Sequence, residues 1–196
     1  MTDKTSFDTA TRIAAGDDGT TYNGVAIALH WITAALVLIQ FVTSFIWDWF
    51  PRETRKVLES LHTSLGVLLV VVIIARIAWR LMPGHQVSSL EVGWVKIASK
   101  GVHYLLYLLL IAQAVLGMAL GWAAGHPIHV FGIPIPGPLD ALPRPTRHEL
   151  REIHEKVGYG IVILAFGHAL AALYHHYALR DRVLGRMLPG ARRSEA

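Results

Sequence analysis

The sequence predicts an all-α integral membrane protein built as a four-helix bundle. Two observations carry that prediction. Four apolar runs each reach the roughly 20 residues that a helix needs to cross hydrocarbon. Only 16% of the 196 residues are charged and 53% are hydrophobic, where a soluble domain carries about a quarter charged. The deficit of charge is concentrated in the runs themselves, and mean hydropathy is +0.42. The lipid bilayer is therefore the expected solvent.

The elements follow in order. Residues 1–22 are polar, with Asp3, Asp8, Asp17 and Asp18 among Ser and Thr. They lack the short apolar core of a signal peptide and read as a cytoplasmic tail. The first span covers residues 24–46 and the second residues 57–82, stopped by Pro83-Gly84. Ser88-x-x-Glu91 has the form of a capping box, which predicts a short interfacial helix leading into a third span over 101–123. The segment 125–145 holds six prolines and predicts an irregular, lid-like loop. Thr146-x-x-Glu149, just after Pro145, reads as a second capping box that starts the fourth span, over 149–179. Trp47, Trp49, Trp79, Trp94 and Trp122 fall near predicted helix ends, where aromatic belts sit. No internal repeat or second domain is expected. The chain divides into a tail (1–22), a transmembrane domain (23–190) and a basic C-terminal tail (191–196).

Charge narrows the function. A net charge of +4 would suggest nucleic acid in a soluble protein, but here the basic residues lie largely in loops and tail, where membrane topology explains them. With the N-terminus inside, eleven Lys and Arg fall on the cytoplasmic side and seven on the other. That split favours both termini inside. The absence of cysteine excludes disulfides, iron–sulfur clusters and covalent haem attachment.

The informative residues are histidines inside the spans, because an ionisable group in hydrocarbon costs several kcal/mol without a partner. His154 and His168 lie on one helix, 14 residues apart. They return to within about 40° of the same face and stand ~21 Å apart along the axis. That spacing suits two haems stacked near opposite faces of the membrane, each taking one ligand from this helix. Depth pairs His62 with His154 on the outer side and His30 with His168 on the inner side, as facing helices of a bundle place cofactor ligands. Polar core residues bonded to one another, or a transition-metal site, are the alternative readings, though two levels ~21 Å apart do not form one metal cluster.

Other residues support this reading or stand apart from it. Gly66, Gly158 and Gly167 lie within four residues of a proposed ligand, where a porphyrin could approach the backbone. Close helix packing is the competing explanation, as it is for Gly117-x-x-x-Gly121. Arg76, 14 residues after His62, either neutralises a haem propionate or snorkels to the headgroups. His126-x-x-His129 is a weak metal motif.

Ile27-Ala28-Leu29-His30-Trp31, Leu61-His62-Thr63-Ser64-Leu65-Gly66, His103-Tyr104-Leu105-Leu106-Tyr107-Leu108-Leu109, and His154-x13-His168 followed by His175-His176-Tyr177 together resemble the prokaryotic cytochrome b561 family over residues 22–190. Phe50-Pro51-Arg52-x-x-Arg55 and Arg151-x-x-His154 look like the stand-alone, superoxide-oxidising branch of that family, from which Lys56 and the longer tail depart. The resemblance implies two haem b per chain, ligated by His30, His62, His154 and His168. It implies electron transfer from superoxide at the periplasmic face to ubiquinone, in the bacterial inner membrane, without an obligate soluble partner or nucleic acid. On that reading Arg52, Arg55, Lys56, Arg151 and Lys156 form a basic funnel for the anion. The quinone lies near His168, with His103 and His175 as hydrogen-bond or proton partners, or as interfacial residues with no specific task. The rival readings are an electron-transfer subunit anchoring a membrane dehydrogenase or hydrogenase, and a histidine-lined metal or proton transporter.

Overall fold

The computed structural model describes residues 22–83, 93–138, 140–181 and 183–189. Four helices are long and apolar enough to cross a membrane: α1 (Gly24–Ile46), α2 (Arg52–Leu81), α3 (Gly93–Trp122) and α4 (Arg144–Tyr174). The protein is a multi-pass membrane bundle. Its large apolar side chains point outward, Leu38 and Ile163 being 63% and 72% exposed, as a lipid-facing surface requires. The core is small. Ile73 of α2, Leu110 of α3 and Ile161 of α4 pack together, with Val37 of α1 against them.

The helix starts differ from the sequence expectation. Helix α2 begins at Arg52, five residues before the expected start at 57, because its first turns are charged. Lys56 pairs with Glu53 at 3.1 Å and Arg55 with Glu59 at 3.0 Å. Such i,i+3 and i,i+4 pairs support a helix, while hydropathy registers only its apolar part. Likewise α3 runs unbroken from Gly93, so Lys96 and Lys100 belong to the spanning helix and not to a separate interfacial one. Ser88 and Glu91 lie outside the described residues, as do the tails. Helix α4 begins at Arg144 with Pro145 in its first turn, where a missing N–H is no loss. Thr146 and Glu149 are therefore inside the helix, and the expected capping box does not form.

The proline-rich connection is not an irregular lid. It contains a β-hairpin, with β1 (Ile128–Val130) antiparallel to β2 (Ile133–Ile135). Phe131 and Gly132 have φ of 50° and 84°, the left-handed pair that closes a two-residue hairpin. Pro134 faces His129, one step beyond the closing pair Val130–Ile133. That is a non-hydrogen-bonded position, where proline's missing N–H breaks no ladder bond. The hairpin is anchored to the bundle. Ser64 Oγ accepts the Phe131 N–H at 2.9 Å and donates to Ser60 O at 2.8 Å. A Cβ on Gly121 would stand 2.7 Å from Ile128 Cγ2, so this glycine makes room for the hairpin. Trp122 Nε1 donates to Ile135 O at 3.2 Å.

The opposite end is tied by a strap. After α4, a wider turn over His175–Leu179 ends at Arg180 with φ of 55°. His175 hydrogen-bonds Asp181. The chain then returns to the start of α1, where Trp31 Nε1 donates to Met187 O at 2.7 Å and Arg186 lies over the Tyr22 ring at 5.4 Å. Asn23 caps α1 by accepting the Ala26 N–H at 2.8 Å, and also accepts from Trp79 Nε1 at 3.2 Å. Trp31, Trp79 and Trp122 are thus structural hydrogen-bond donors, while Trp49 and Trp94 stand 73% and 78% exposed.

The bundle also contains a repeat that was not expected from sequence. Helices α1–α2 match α3–α4. His30 and Gln40 on α1 correspond to His103 and Gln113 on α3, ten residues apart in each case. His62 and Gly66 on α2 correspond to His154 and Gly158 on α4, and Arg76 falls where α4 has His168. Gln40 reaches across 22 residues to His62, and Gln113 across 41 to His154. The second unit is nineteen residues longer because the hairpin lies in its connection.

Ser64 supplies the hairpin tip's principal bond to the bundle, worth about 0.5–1.5 kcal/mol. Ser64→Ala is expected to raise the rate of proteolytic nicking near Phe131 several-fold without altering helix content by circular dichroism. An unchanged nicking rate would remove Ser64 as the anchor.

Candidate functional site

The two ends of the bundle each hold a histidine pair. At the hairpin end, His62 of α2 and His154 of α4 have ring centroids 6.4 Å apart, inclined at 75°. At the opposite end, beside the start of α1, His30 of α1 and His168 of α4 stand 6.4 Å apart at 73°. These are the pairs that depth predicts. Helix α4 is continuous through both levels, so the 14-residue interval places them ~21 Å apart along its axis.

The pair spacing bears on what the rings can hold. Metal–imidazole bonds run about 2.0–2.1 Å, and the nitrogen lies about 1.2 Å from its ring centre, so rings on opposite sides of one metal stand roughly 6.5 Å apart. Both pairs fit a metal between them. No group of three or more His, Cys, Asp or Glu able to chelate an ion exists among the described residues. His126 and His129 belong to no such group, and each level brings two imidazoles together at this spacing, with His103 a further 5.1 Å from His168 at one of them.

Neighbouring groups set the tautomer at the hairpin level. Thr43 Oγ1 donates to Ile39 O at 2.8 Å and lies 3.4 Å from His62 Nδ1. With its proton committed, the hydroxyl can only accept, so it favours a proton on Nδ1 and a free lone pair on Nε2. Such an outer contact orients a ligating imidazole. Glycines border the same level. A Cβ on Gly117 would lie 3.1 Å from the His154 ring, and on Gly66 or Gly158 it would lie 2.9 or 3.2 Å from Gln40 or Gln113. Gly117-x-x-x-Gly121 thus serves close packing, Gly117 against His154 of α4 and Gly121 against the hairpin. Gly167 is exposed, with open space where its Cβ would stand. Gln40 Oε1, Gln113 Oε1 and His154 Nδ1 are buried without a hydrogen-bond partner, a polar lining that fits a polar-centred cofactor better than a purely apolar seam.

All four helices contribute to the other level. His103 of α3 lies 5.1 Å from His168, ring centre to ring centre, and its Nδ1 is 2.7 Å from Ser99 O. Arg76 of α2 neither snorkels nor stays at the rim. Its Nη2 is 3.0 Å from His30 Nδ1 and its guanidinium lies 5.3 Å over the Tyr107 ring. His175 is engaged by Asp181, and His176 stacks edge-on against Tyr177 at 4.8 Å.

The basic residues at the hairpin end divide into two kinds. Arg55 is held between Asp48 at 2.8 Å and Glu59 at 3.0 Å, Lys56 by Glu53, and Lys156 by Glu152 at 2.9 Å. Arg52 and Arg151 are exposed and form no ion pair among the described residues. The sequence reading overlooked Gln40, Gln113 and Thr43, although mid-span carboxamides ten residues after a histidine are a visible signal.

Comparison with known proteins accords with this geometry. The family model described as prokaryotic cytochrome b561 matches residues 21–190. The chain is 31% identical over 178 residues to cytochrome b561 homolog 2 of Escherichia coli K12, covering 85% of this chain and 90% of that protein. It is 30% identical over 179 residues to the probable superoxide oxidase CybB of Yersinia pestis, covering 87% and 97%. It is also 30% identical over 178 residues to cytochrome b562 of Cereibacter sphaeroides, covering 85% and 94%. The chain belongs to the prokaryotic cytochrome b561 family, whose four-helix membrane bundle carries haem.

Proposed function

We propose that this protein is a di-haem cytochrome b that oxidises superoxide at the hairpin end and reduces ubiquinone toward the opposite end. The observation that carries the reading is the two imidazole pairs, each with ring centroids 6.4 Å apart, at two levels of one bundle. His62 and His154 would hold one haem, His30 and His168 the other. Bound haem supplies one-electron redox chemistry at each level, and the protein supplies ligation, distance and access.

The residues around the site serve that chemistry. Superoxide is a small anion that hydrocarbon excludes, so it must react at the aqueous edge. Arg52 and Arg151, free of carboxylate partners, would attract it, and Arg55, already flanked by two carboxylates, contributes less field. Two superoxide ions give two molecules of dioxygen and two electrons, which with two protons convert ubiquinone to ubiquinol. Thr43 holds the Nδ1 proton of His62, and Arg76 places a fixed positive charge beside His30. His103, next to His168, is the candidate hydrogen-bonding residue for the quinone. The Lys and Arg distribution supports an inner-membrane orientation with the hairpin in the periplasm and both termini in the cytoplasm. The name of the Yersinia pestis relative supports superoxide as the donor. An electron-transfer subunit of a larger dehydrogenase or hydrogenase uses the same bundle without the superoxide reaction.

Two measurements test this. The purified protein should carry two haem b per chain. His154→Ala and His30→Ala should each lose one and retain the other, by haem count and reduced absorption spectrum; two haems in both variants would break the pairing. With ubiquinone present, a superoxide source should reduce the haems and form ubiquinol at one per two superoxide consumed. Arg52→Glu and Arg151→Glu should slow that reduction about tenfold or more at low salt, with the deficit shrinking as ionic strength rises. Arg55→Gln should have a smaller effect. Haems that superoxide reduces no faster than a slow chemical reductant does would leave the electron-transfer subunit as the function.

A further inference from the structure

Over its first turns, helix α4 presents one narrow stripe to the bundle. From Arg144 to Lys156 only Arg147, Leu150 and His154 are partly covered, and every other position is exposed. The stripe continues through Val157 to Ile161 in the core, on the alternating three- and four-residue steps of an inward helix face. Its members are apolar except for His154 and Arg147.

Arg147 is an unfavourable residue to place there. Its Nε is buried without a hydrogen-bond partner. No ion pair or side-chain hydrogen bond among the described residues reaches it. A buried donor on a charged group is costly to leave unmade, and a leucine would complete the stripe without that cost. Arg144 and Arg151 differ, because both are exposed and water can solvate them. An inward guanidinium with its donors unused is shaped for a carboxylate, which it can grip through two parallel bonds.

Position says which carboxylate. Arg147 precedes His154 by seven residues, which returns it to within about 20° of the same face and sets it ~10.5 Å nearer the hairpin end. The acidic residues of these turns, Glu149, Glu152 and Glu155, are exposed and lie off the stripe. A haem brings ionised propionates on one edge of its ring. We propose that Arg147 binds a propionate of the haem held by His62 and His154, fixing that haem with its carboxylate edge toward the hairpin end. This rests on the di-haem reading above. An unneutralised propionate at that edge would repel superoxide. Arg147 cancels its charge and leaves the exposed Arg52 and Arg151 to attract the anion.

The test compares wild-type holoprotein with Arg147→Gln and Arg147→Lys by haem count, resonance Raman spectroscopy and redox titration. One haem per chain in wild type would overturn the di-haem reading itself. Given two, Arg147→Gln should shift the propionate bending band and lower one midpoint while leaving the other, because an unneutralised carboxylate favours ferric iron. The lowered midpoint should also become pH-dependent, since a carboxylate without its cation takes up a proton more readily. Arg147→Lys keeps the charge and should restore most of the midpoint. Loss of one haem from Arg147→Gln, with both retained in Arg147→Lys, supports the same assignment. The shifts should persist in a His30→Ala background, which keeps only the hairpin-level haem, and vanish in His154→Ala. A band and midpoints that match wild type, or midpoints that fall together, would overturn the inference while leaving the ligand pairs intact. So would a loss of bound phospholipid phosphate with the band unmoved, which would assign Arg147 to a lipid headgroup.

Discussion

The bundle is governed by one constraint: in hydrocarbon, a polar group has only the protein to bond with. Its consequences run through every helix. Thr33 and Thr43 return their hydroxyl protons to carbonyls one turn back, at 2.6 and 2.8 Å. Asn23 serves two donors at once, one in its own helix and one on α2. Arg76 turns inward to His30 and Tyr107. The half-buried imidazoles find protein partners too, His62 beside Thr43, His154 beside Gln113 and His30 beside Arg76. Against this background the unpaired oxygens of Gln40 and Gln113 stand out.

Lipid also removes the ordinary reason for helices to associate, since tails are as apolar as leucine. The bundle accordingly has a thin core, with Ile73, Leu110 and Ile161 at its centre, and it relies on its ends. At one end the hairpin clamps α2 and α3 through Ser64, Gly121 and Trp122. At the other the strap clamps the start of α1 through Trp31 and Tyr22. Between the clamps the two histidine levels join α2 to α4 and α1 to α4. A cofactor bound at each would add the cross-links that apolar packing cannot.

The repeat explains how a symmetric scaffold gains direction. At the hairpin level the paired histidines occupy equivalent positions on α2 and α4. At the other level His30 and His168 are not equivalent. The counterpart of His168 is Arg76, and the counterpart of His30 is His103. One level is thus symmetric and flanked by carboxamides, the other asymmetric and flanked by a cation. Haems bound at two levels differing in this way would not meet the same electrostatic environment.

Much of this was legible in the sequence, and the reason is physical. Bilayer thickness sets helix length, so the four apolar runs announce the four spans. Helical periodicity is rigid, so the 14 residues between His154 and His168 determine both a shared face and an axial separation. Topology then gives depth, and depth alone matches His62 to His154 and His30 to His168. What the sequence could not decide depended on neighbours far away in the chain. The charged first turns of α2 read as connection, and those of α3 as a separate interfacial helix, until they are seen continuing the spanning helices. The proline-rich connection becomes a hairpin because Ser64 and Gly121, on two different helices, receive it. Arg55 and Arg52 look alike in sequence, and only Asp48 and Glu59 closing on one of them tell the two apart. The repeat was hidden because apolar residues are interchangeable in lipid and one half carries nineteen extra residues. Its trace along the chain is the ten-residue step from His30 to Gln40 and from His103 to Gln113, and the matching rest of each carboxamide on a glycine exists only between helices.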